Sequence, residues 1–281
     1  MKCLLFNYKK MIPQNTGFFH TKSVNKSPFA PSQTPENVPA KKYTILQVAV
    51  FLSVRGYMRC TEMAEQLVKS RQRVADHGEV FTAEREVKAM CDLVKQETER
   101  IESRFLEPAC GNGNFLAEVL TRKLAVVKSR YGKSPFDYER YSVLAMTSLY
   151  GVDILEDNAE ECRQRLFDIW DKEYTANAKS QANEQCREAV RFILHKNILC
   201  GDALTMLQAD GSPIVFAEWS LVTGNQMKRR DFALDELLNG HEEQMNIFMI
   251  GWEYDEEVQA FIPSPIKEYP LTDYRRVQDY E

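Results

Sequence analysis

Residues Phe105 to Leu116, Phe-Leu-Glu-Pro-Ala-Cys-Gly-Asn-Gly-Asn-Phe-Leu, dictate a strand, a tight turn and a helix in immediate succession. The apolar pair Phe105-Leu106 is the strand end. Glu107 and Pro108 stop it, since proline has no N–H for the ladder. Gly111 and Gly113 permit backbone angles, and a close ligand approach, that a β-carbon forbids. Beyond them Phe115, Leu116, Val119, Leu120, Leu124 and Val127 recur at helical spacing, and Gly132 is the predicted stop. Such a turn aims free N–H groups and the positive end of a helix into one crevice, which suits a cofactor. A nicotinamide-type G-x-G-x-x-G turn fits poorly, because Leu116 stands where the third glycine belongs.

Composition sets the bounds. With 44% hydrophobic and 11% aromatic residues, the 281-residue chain has material for one large or two small domains. A net charge of −5 argues against a free-standing protein with a broad DNA-binding face. Basic residues would have to be local or come from a partner. The seven cysteines are scattered, with no C-x-x-C pair, and predict reduced thiols in a cytoplasmic protein. The four histidines show no ligand spacing, so no metal site is expected.

Residues 1–42 are rich in Pro, Ser, Thr, Asn and Lys and are expected to be a disordered leader. The opening apolar residues are too few for a signal peptide core. The apolar run Tyr43 to Val54 covers about twelve residues, short of the roughly twenty that a membrane span needs. It is expected to be a buried strand or helix within an N-terminal segment, 43–75. Met58 is an alternative start.

Further along, residues 63–74 are polar and helix-favouring. After Gly78-Glu79-Val80-Phe81-Thr82 comes a helix with Val87, Met90, Cys91, Val94 and Ile101 on one face. Thr82 is its expected N-cap, with Glu84 and Glu86 near its positive end. A helix over 136–149 leads into a second strand, Leu149 to Leu155, that carries the acid Asp153. Asp157 and Glu160 form a capping-box-like start for the next helix. A helix over 184–196 precedes a third strand ending in Gly201-Asp202-Ala203-Leu204, and Pro213 to Leu221 is a fourth. A carboxylate at the end of a second strand can accept both hydroxyl hydrogens of a ribose, though acids at strand ends are common.

Glu107-Pro108-Ala109-Cys110-Gly111-x-Gly113-x-Phe115-Leu116 resembles the S-adenosylmethionine motif of DNA methyltransferases that modify an exocyclic amine. It is most similar to that of the adenine-specific enzymes and the modification subunits of restriction systems. The resemblance implies a Rossmann-like α/β methyltransferase fold, a mostly parallel sheet with helices on both faces. It implies that residues 76–226 are the cofactor-binding domain and 227–281 a C-terminal extension. Glu107, Ala109, Cys110, Gly111, Gly113, Asn114 and Phe115 would line the cofactor. Thr82 would hold its methionine end, with Ala83 standing where the family has proline. Asp153 would take the ribose, and Ile154 would pack on the adenine. Asp202, beside Ala203, would accept from the adenine amine or else merely cap a turn.

The family's Asn-Pro-Pro-Tyr motif is missing. By distance from Asp202, Glu218-Trp219-Ser220-Leu221 occupies its place. Glu218 would then accept from the target amine and Trp219 stack on a flipped base, the alternative being a strand end with a buried tryptophan. Lys228-Arg229-Arg230 is a candidate phosphate contact, or else a solvated loop or helix start. Asn246 to Trp252 and Glu257 to Ile262 are expected to pair across residues 253–256, followed by an extended tail. Too few residues follow the fourth strand for the remaining strands and a target-recognition domain of usual size. The resemblance therefore implies a methyltransferase-like component that acts on adenine in DNA with a separate specificity or nuclease subunit. The alternatives are a non-catalytic S-adenosylmethionine-binding subunit or scaffold, and a protein or small-molecule methyltransferase.

Overall fold

A computed structural model describes residues 67–239, 252–255 and 260–280. The expectations for the leader, the apolar run 43–54 and Met58 lie outside these residues. Three short parallel strands form the centre: β1 (Phe105–Glu107), β2 (Leu149–Asp153) and β3 (Ile198–Cys200), in the order β1-β2-β3. Glu107 pairs with Gly151, and Asp153 with Cys200, so three strand ends finish side by side. Every residue of β2 is buried, as befits a central parallel strand covered on both faces.

The helices between the strands lie where the sequence places them, but two before the first strand differ. The described part of the one expected over 63–74 begins at Arg71 and runs to His77. The one expected to reach Ile101 breaks at Val94 and ends at Thr98. The helices before and between the strands are α1 (Arg71–His77), α2 (Glu84–Leu93), α3 (Lys95–Thr98), α4 (Asn114–Tyr131), α5 (Pro135–Met146), α6 (Glu156–Ala178) and α7 (Glu184–Asn197). Ser134 caps α5 by accepting from the Asp137 N–H at 3.3 Å, with Pro135 at the first helical position. Asn183 caps α7 in the same way. Two predicted caps are not made. Ala83, not Thr82, is the N-cap of α2, and it has no side-chain bond to offer. The N-cap of α6 is Leu155, whose N–H is met by the Asp153 carboxylate instead of a capping box.

One face of the sheet is covered by α4, α6 and α7, whose Leu116, Leu120, Leu166, Ile193 and Leu194 are almost fully buried. Among the described residues the other face is met by a strand and one short helix, not by crossover helices. Tyr150 and Val152 of β2 meet Ile214, Phe216 and Leu234 there. These belong to β4 (Val215–Leu221), the residue before it, and α8 (Leu234–Asn239).

The fourth strand does not extend the parallel sheet. It forms an antiparallel hairpin with β5 (Gln226–Ala233), across which Glu218 faces Arg230. Its direction explains its place. Ile214 lies against Gly201 at the carboxyl end of β3, Ala217 accepts from the Tyr150 hydroxyl at 3.0 Å, and Glu218 reaches Arg104 just before β1.

β6 (Trp252–Asp255) pairs with β7 (Ala260–Pro263), so residues 253–255, expected as a turn, are strand. The tail is not simply extended. β8 (Lys267–Glu268) and β9 (Thr272–Asp273) both pair with β5, and a 3-10 element, Tyr274–Asp279, lies on α7. The expected domain boundary at 226 thus falls within a hairpin. Among the described residues no helix is long and apolar enough to cross a membrane.

Candidate functional site at the carboxyl edge of the parallel sheet

The glycine turn leaves β1 and folds back over β2. The Cys110 N–H donates to the Val152 carbonyl at 2.9 Å, and the Gly111 N–H to Asp153 Oδ2 at 2.8 Å. Gly111 and Gly113 both sit in the left-handed region, at φ +52 and +82, where L side chains are strained. The first amides of α4 have no acceptor within their own helix and end at this turn.

Asp153 is 8% exposed and accepts three bonds. Besides Gly111, its Oδ1 accepts from the Leu155 N–H at 3.0 Å and Asn158 Nδ2 at 3.1 Å. A carboxylate offers about four lone-pair positions, so one remains on Oδ2. Ile154 beside it is 58% exposed, an apolar side chain left open at the strand end. At the third strand end, Asp202 Oδ1 accepts from the Leu204 N–H at 2.8 Å, and Oδ2 has no partner among the described residues. Ala203 next to it is half-buried.

Thr82 is exposed, and its backbone, not its hydroxyl, is tied to the turn: Asn114 Nδ2 donates to the Thr82 carbonyl at 3.0 Å. Asn114 Oδ1 in turn accepts from Arg165. Cys110 and Cys162 are buried neighbours, and contact with Cys162 together with burial pushes the Cys110 thiol well up, so it is inert. The Phe115 ring turns back to pack on Phe105, 6.3 Å between centroids.

Some of the Glu107 side chain reaches solvent, yet its carboxyl is enclosed by protein and pushed up to about 7. Its ordinary value is about 4.5, so the fold holds a proton that the unfolded chain releases between about pH 4.5 and 7. Stability therefore falls as pH rises through that window, by up to about 3 kcal/mol. Glu107→Gln should flatten this slope and leave a protein more stable than wild type above pH 7. Parallel urea titrations at pH 5 and 8 check it; an unaltered slope would place the titrating group elsewhere.

Several participants are not among the residues that the sequence singles out. The Phe81 ring lies against Gly111, 3.1 Å from where a β-carbon would stand. Asn112 Oδ1, between the two glycines, is buried with no hydrogen-bond partner among the described residues. Asn158 and Glu79 join the turn to the segment before it, with 2.7 Å between Asn158 Nδ2 and Glu79 Oε1. Of these Asn112 stands inside the glycine motif, Glu79 and Phe81 lie within the Gly78–Thr82 stretch, and Asn158 stands outside any motif.

The structure does not bring Glu218 and Trp219 to this edge. Glu218 is 3% exposed at the amino end of β1, neutralised by Arg104 and by Arg230 at 2.9 Å. Those two arginines hold its carboxyl below the usual range against the opposing effect of burial. Trp219 is buried against Phe192, and its indole N–H donates to Asn197 Oδ1 at 3.1 Å. A cavity of about 230 Å³ lies there too, lined by Arg104, Ser148 and Trp219 among others.

The basic triplet is strand, not loop or helix start, and each member has an acidic partner. Lys228 pairs with Glu268 at 2.8 Å, and Arg230 with Glu218. Arg229 is buried, clasped by Asp231 and laid over the Tyr269 ring. Arg229 is closed to a phosphate. Among the described residues no group of histidine, cysteine and acidic side chains is arranged to hold a metal. Comparison of the chain with protein-family models, with curated proteins and with solved structures gives no match.

Proposed function

We propose that the chain binds S-adenosylmethionine across the carboxyl ends of β1 to β3 and is a methyltransferase-like component of a DNA modification system. The carrying observation is the convergence of Gly111, Asp153 and Asp202 on three adjacent parallel strand ends. The polar groups fit such a ligand. Asn112 Oδ1 and Asp202 Oδ2 are acceptors without donors, and Glu107 is an enclosed carboxyl without a side-chain partner. A molecule with amine and hydroxyl donors and positive charge matches that set. When bound, the cofactor supplies a methyl group on a sulfonium centre. This chain's part is to accept hydrogen bonds from its ribose and adenine and to offer Ile154 as an apolar face.

A second reading has a specific observation behind it: Glu218 is ion-paired at the opposite end of the sheet. That favours a subunit that binds cofactor while a partner contributes the amine acceptor and the DNA contacts, or one that does not transfer at all. Cytoplasmic location, DNA and a specificity or nuclease partner belong to this proposal.

Asp202→Asn is the cleanest probe, because Oδ1 can still accept from Leu204 while the unbonded oxygen becomes a donor. It should weaken S-adenosylmethionine binding about tenfold, the loss of one hydrogen bond to a charged group, with melting temperature unchanged. Calorimetric titration reads this, and equal affinity would move the adenine elsewhere. Methyl transfer to mixed-sequence DNA, with and without co-purified partners, then separates the two readings.

A further inference from the structure

The segment from Leu67 to Phe81 crosses the carboxyl edge as a strap. The Phe81 N–H donates back to the Leu67 carbonyl at 2.8 Å, and α1 lies between, capped by Ser70 and closed by Gly78. No residue of α1 is buried, so apolar packing does not hold it. Polar contacts do. Arg73 donates to Glu79 at 2.6 and 2.7 Å and to Asp157 at 2.6 Å, and Lys69 donates to Glu161 at 2.6 Å.

These contacts meet on Asn158, which is 2% exposed and uses its whole amide. Its Nδ2 donates to Glu79 Oε1 at 2.7 Å and Asp153 Oδ1 at 3.1 Å. Its Oδ1 accepts from Lys69 at 2.8 Å and Arg73 at 3.2 Å. An amide has two hydrogens and two lone pairs, and all four are taken. Three of the four partners are on the strap; the fourth is the acid at the end of β2. Lifting the strap strips three bonds from a buried amide, so the fourth loses its fixed direction.

We infer that Asn158 is a positioning residue that latches the Leu67–Phe81 strap to the Asp153 carboxylate, coupling strap closure to the orientation of that acid. Coupling of this kind is reciprocal: whatever disturbs Asp153 must loosen the strap. Its consequence for cofactor rests on the function proposed above; the coupling itself does not.

Residue-resolved amide exchange on the full chain tests it without ligand, the Gly78 and Phe81 amides reporting the strap and Val152 the core. Asn158→Ala should speed exchange at Gly78 and Phe81 about tenfold or more, as expected for losing hydrogen bonds to charged groups, and leave Val152 unchanged. Asp153→Ala, which touches no strap residue by hydrogen bond, should speed the same two amides. In the Asn158→Ala background it should add nothing. If Asn158→Ala does not fold, Glu79→Ala takes its place in the cycle. Unchanged strap exchange in Asn158→Ala, or an undiminished Asp153→Ala effect in the double variant, overturns the inference. Titration with S-adenosylmethionine adds a separate arm: Arg73→Ala, on the surface, should weaken binding several-fold. Equal affinity in Arg73→Ala would overturn the coupling to the ligand site. No binding even by wild type would overturn the proposed function and leave the exchange result standing.

Discussion

Gly113→Ala is expected to destabilise the protein by about 2–5 kcal/mol, roughly 1–2 from the left-handed backbone and 1–3 from overpacking. At φ +82 a β-carbon is strained before it meets anything. It would also stand 2.7 Å from Cys162 Sγ on α6, a buried atom with nowhere to move. Thermal unfolding should show a fall of about 5–15 °C for a domain of this size. Adding Cys162→Ala should return part of the loss, because it removes the overlap but not the strain. Gly111→Ala is the internal comparison. Its φ is +52, and the nearest atoms are the edge of the Phe81 ring, on a half-buried side chain that can swing away. Its loss should be nearer 1 kcal/mol. A larger loss at Gly111 than at Gly113 would mean that the α4–α6 contact is not what requires a glycine here.

That contact shows why this part of the fold was legible. Phe105 to Leu116 carries its own punctuation: an apolar strand end, a proline, two glycines and a helical repeat. Local residue chemistry alone fixes β1, the turn and α4, and Gly132 closes the helix as expected. Asp153 was legible for a similar reason, since an acid at the end of an apolar run has few places to go. The fourth strand was not. Val215 to Leu221 has the same apolar character as a parallel strand, and nothing local distinguishes it from one half of a hairpin. Its fate is decided by distant partners, Arg104 for Glu218 and Asn197 for Trp219. Counting residues from Asp202 cannot see them. The surroundings of Lys228-Arg229-Arg230 were hidden likewise, because its partners Glu218, Asp231 and Glu268 come from three places in the chain. Asn158 was hidden for a different reason. It reads as an ordinary residue in the first turn of a helix, and only burial shows all four positions of its amide to be in use.

Glu139→Ala should lower stability by about 3–5 kcal/mol, the range for removing one partner from a buried charged cluster. Glu139 lies on α5 and is 3% exposed. It accepts from the Tyr274 hydroxyl at 2.7 Å, from Arg275 Nε at 2.5 Å and from the Tyr174 hydroxyl. Two of these partners are about 135 residues further along the chain. Without the carboxylate, the buried Tyr274 and Tyr174 hydroxyls lose their acceptor and the half-buried Arg275 guanidinium loses its ion-pair partner. Glu139→Gln keeps one accepting oxygen and should lose about 1–3 kcal/mol. Removing residues 271–281 strands the same charge from the other side, so the truncated chain should be destabilised to a similar degree. Combining truncation with Glu139→Ala should then cost less than the sum of the two, since Arg275 and Tyr274 leave together with the carboxylate they bond. Urea unfolding of the four proteins gives the cycle. Simple additivity would mean that the tail rests on α7 through Tyr274 and Val277 packing alone. Non-additivity would mean that Glu139 draws the C-terminal element onto the helical layer. β9, directly before that element, would then anchor the far edge of the hairpin that covers the sheet's second face.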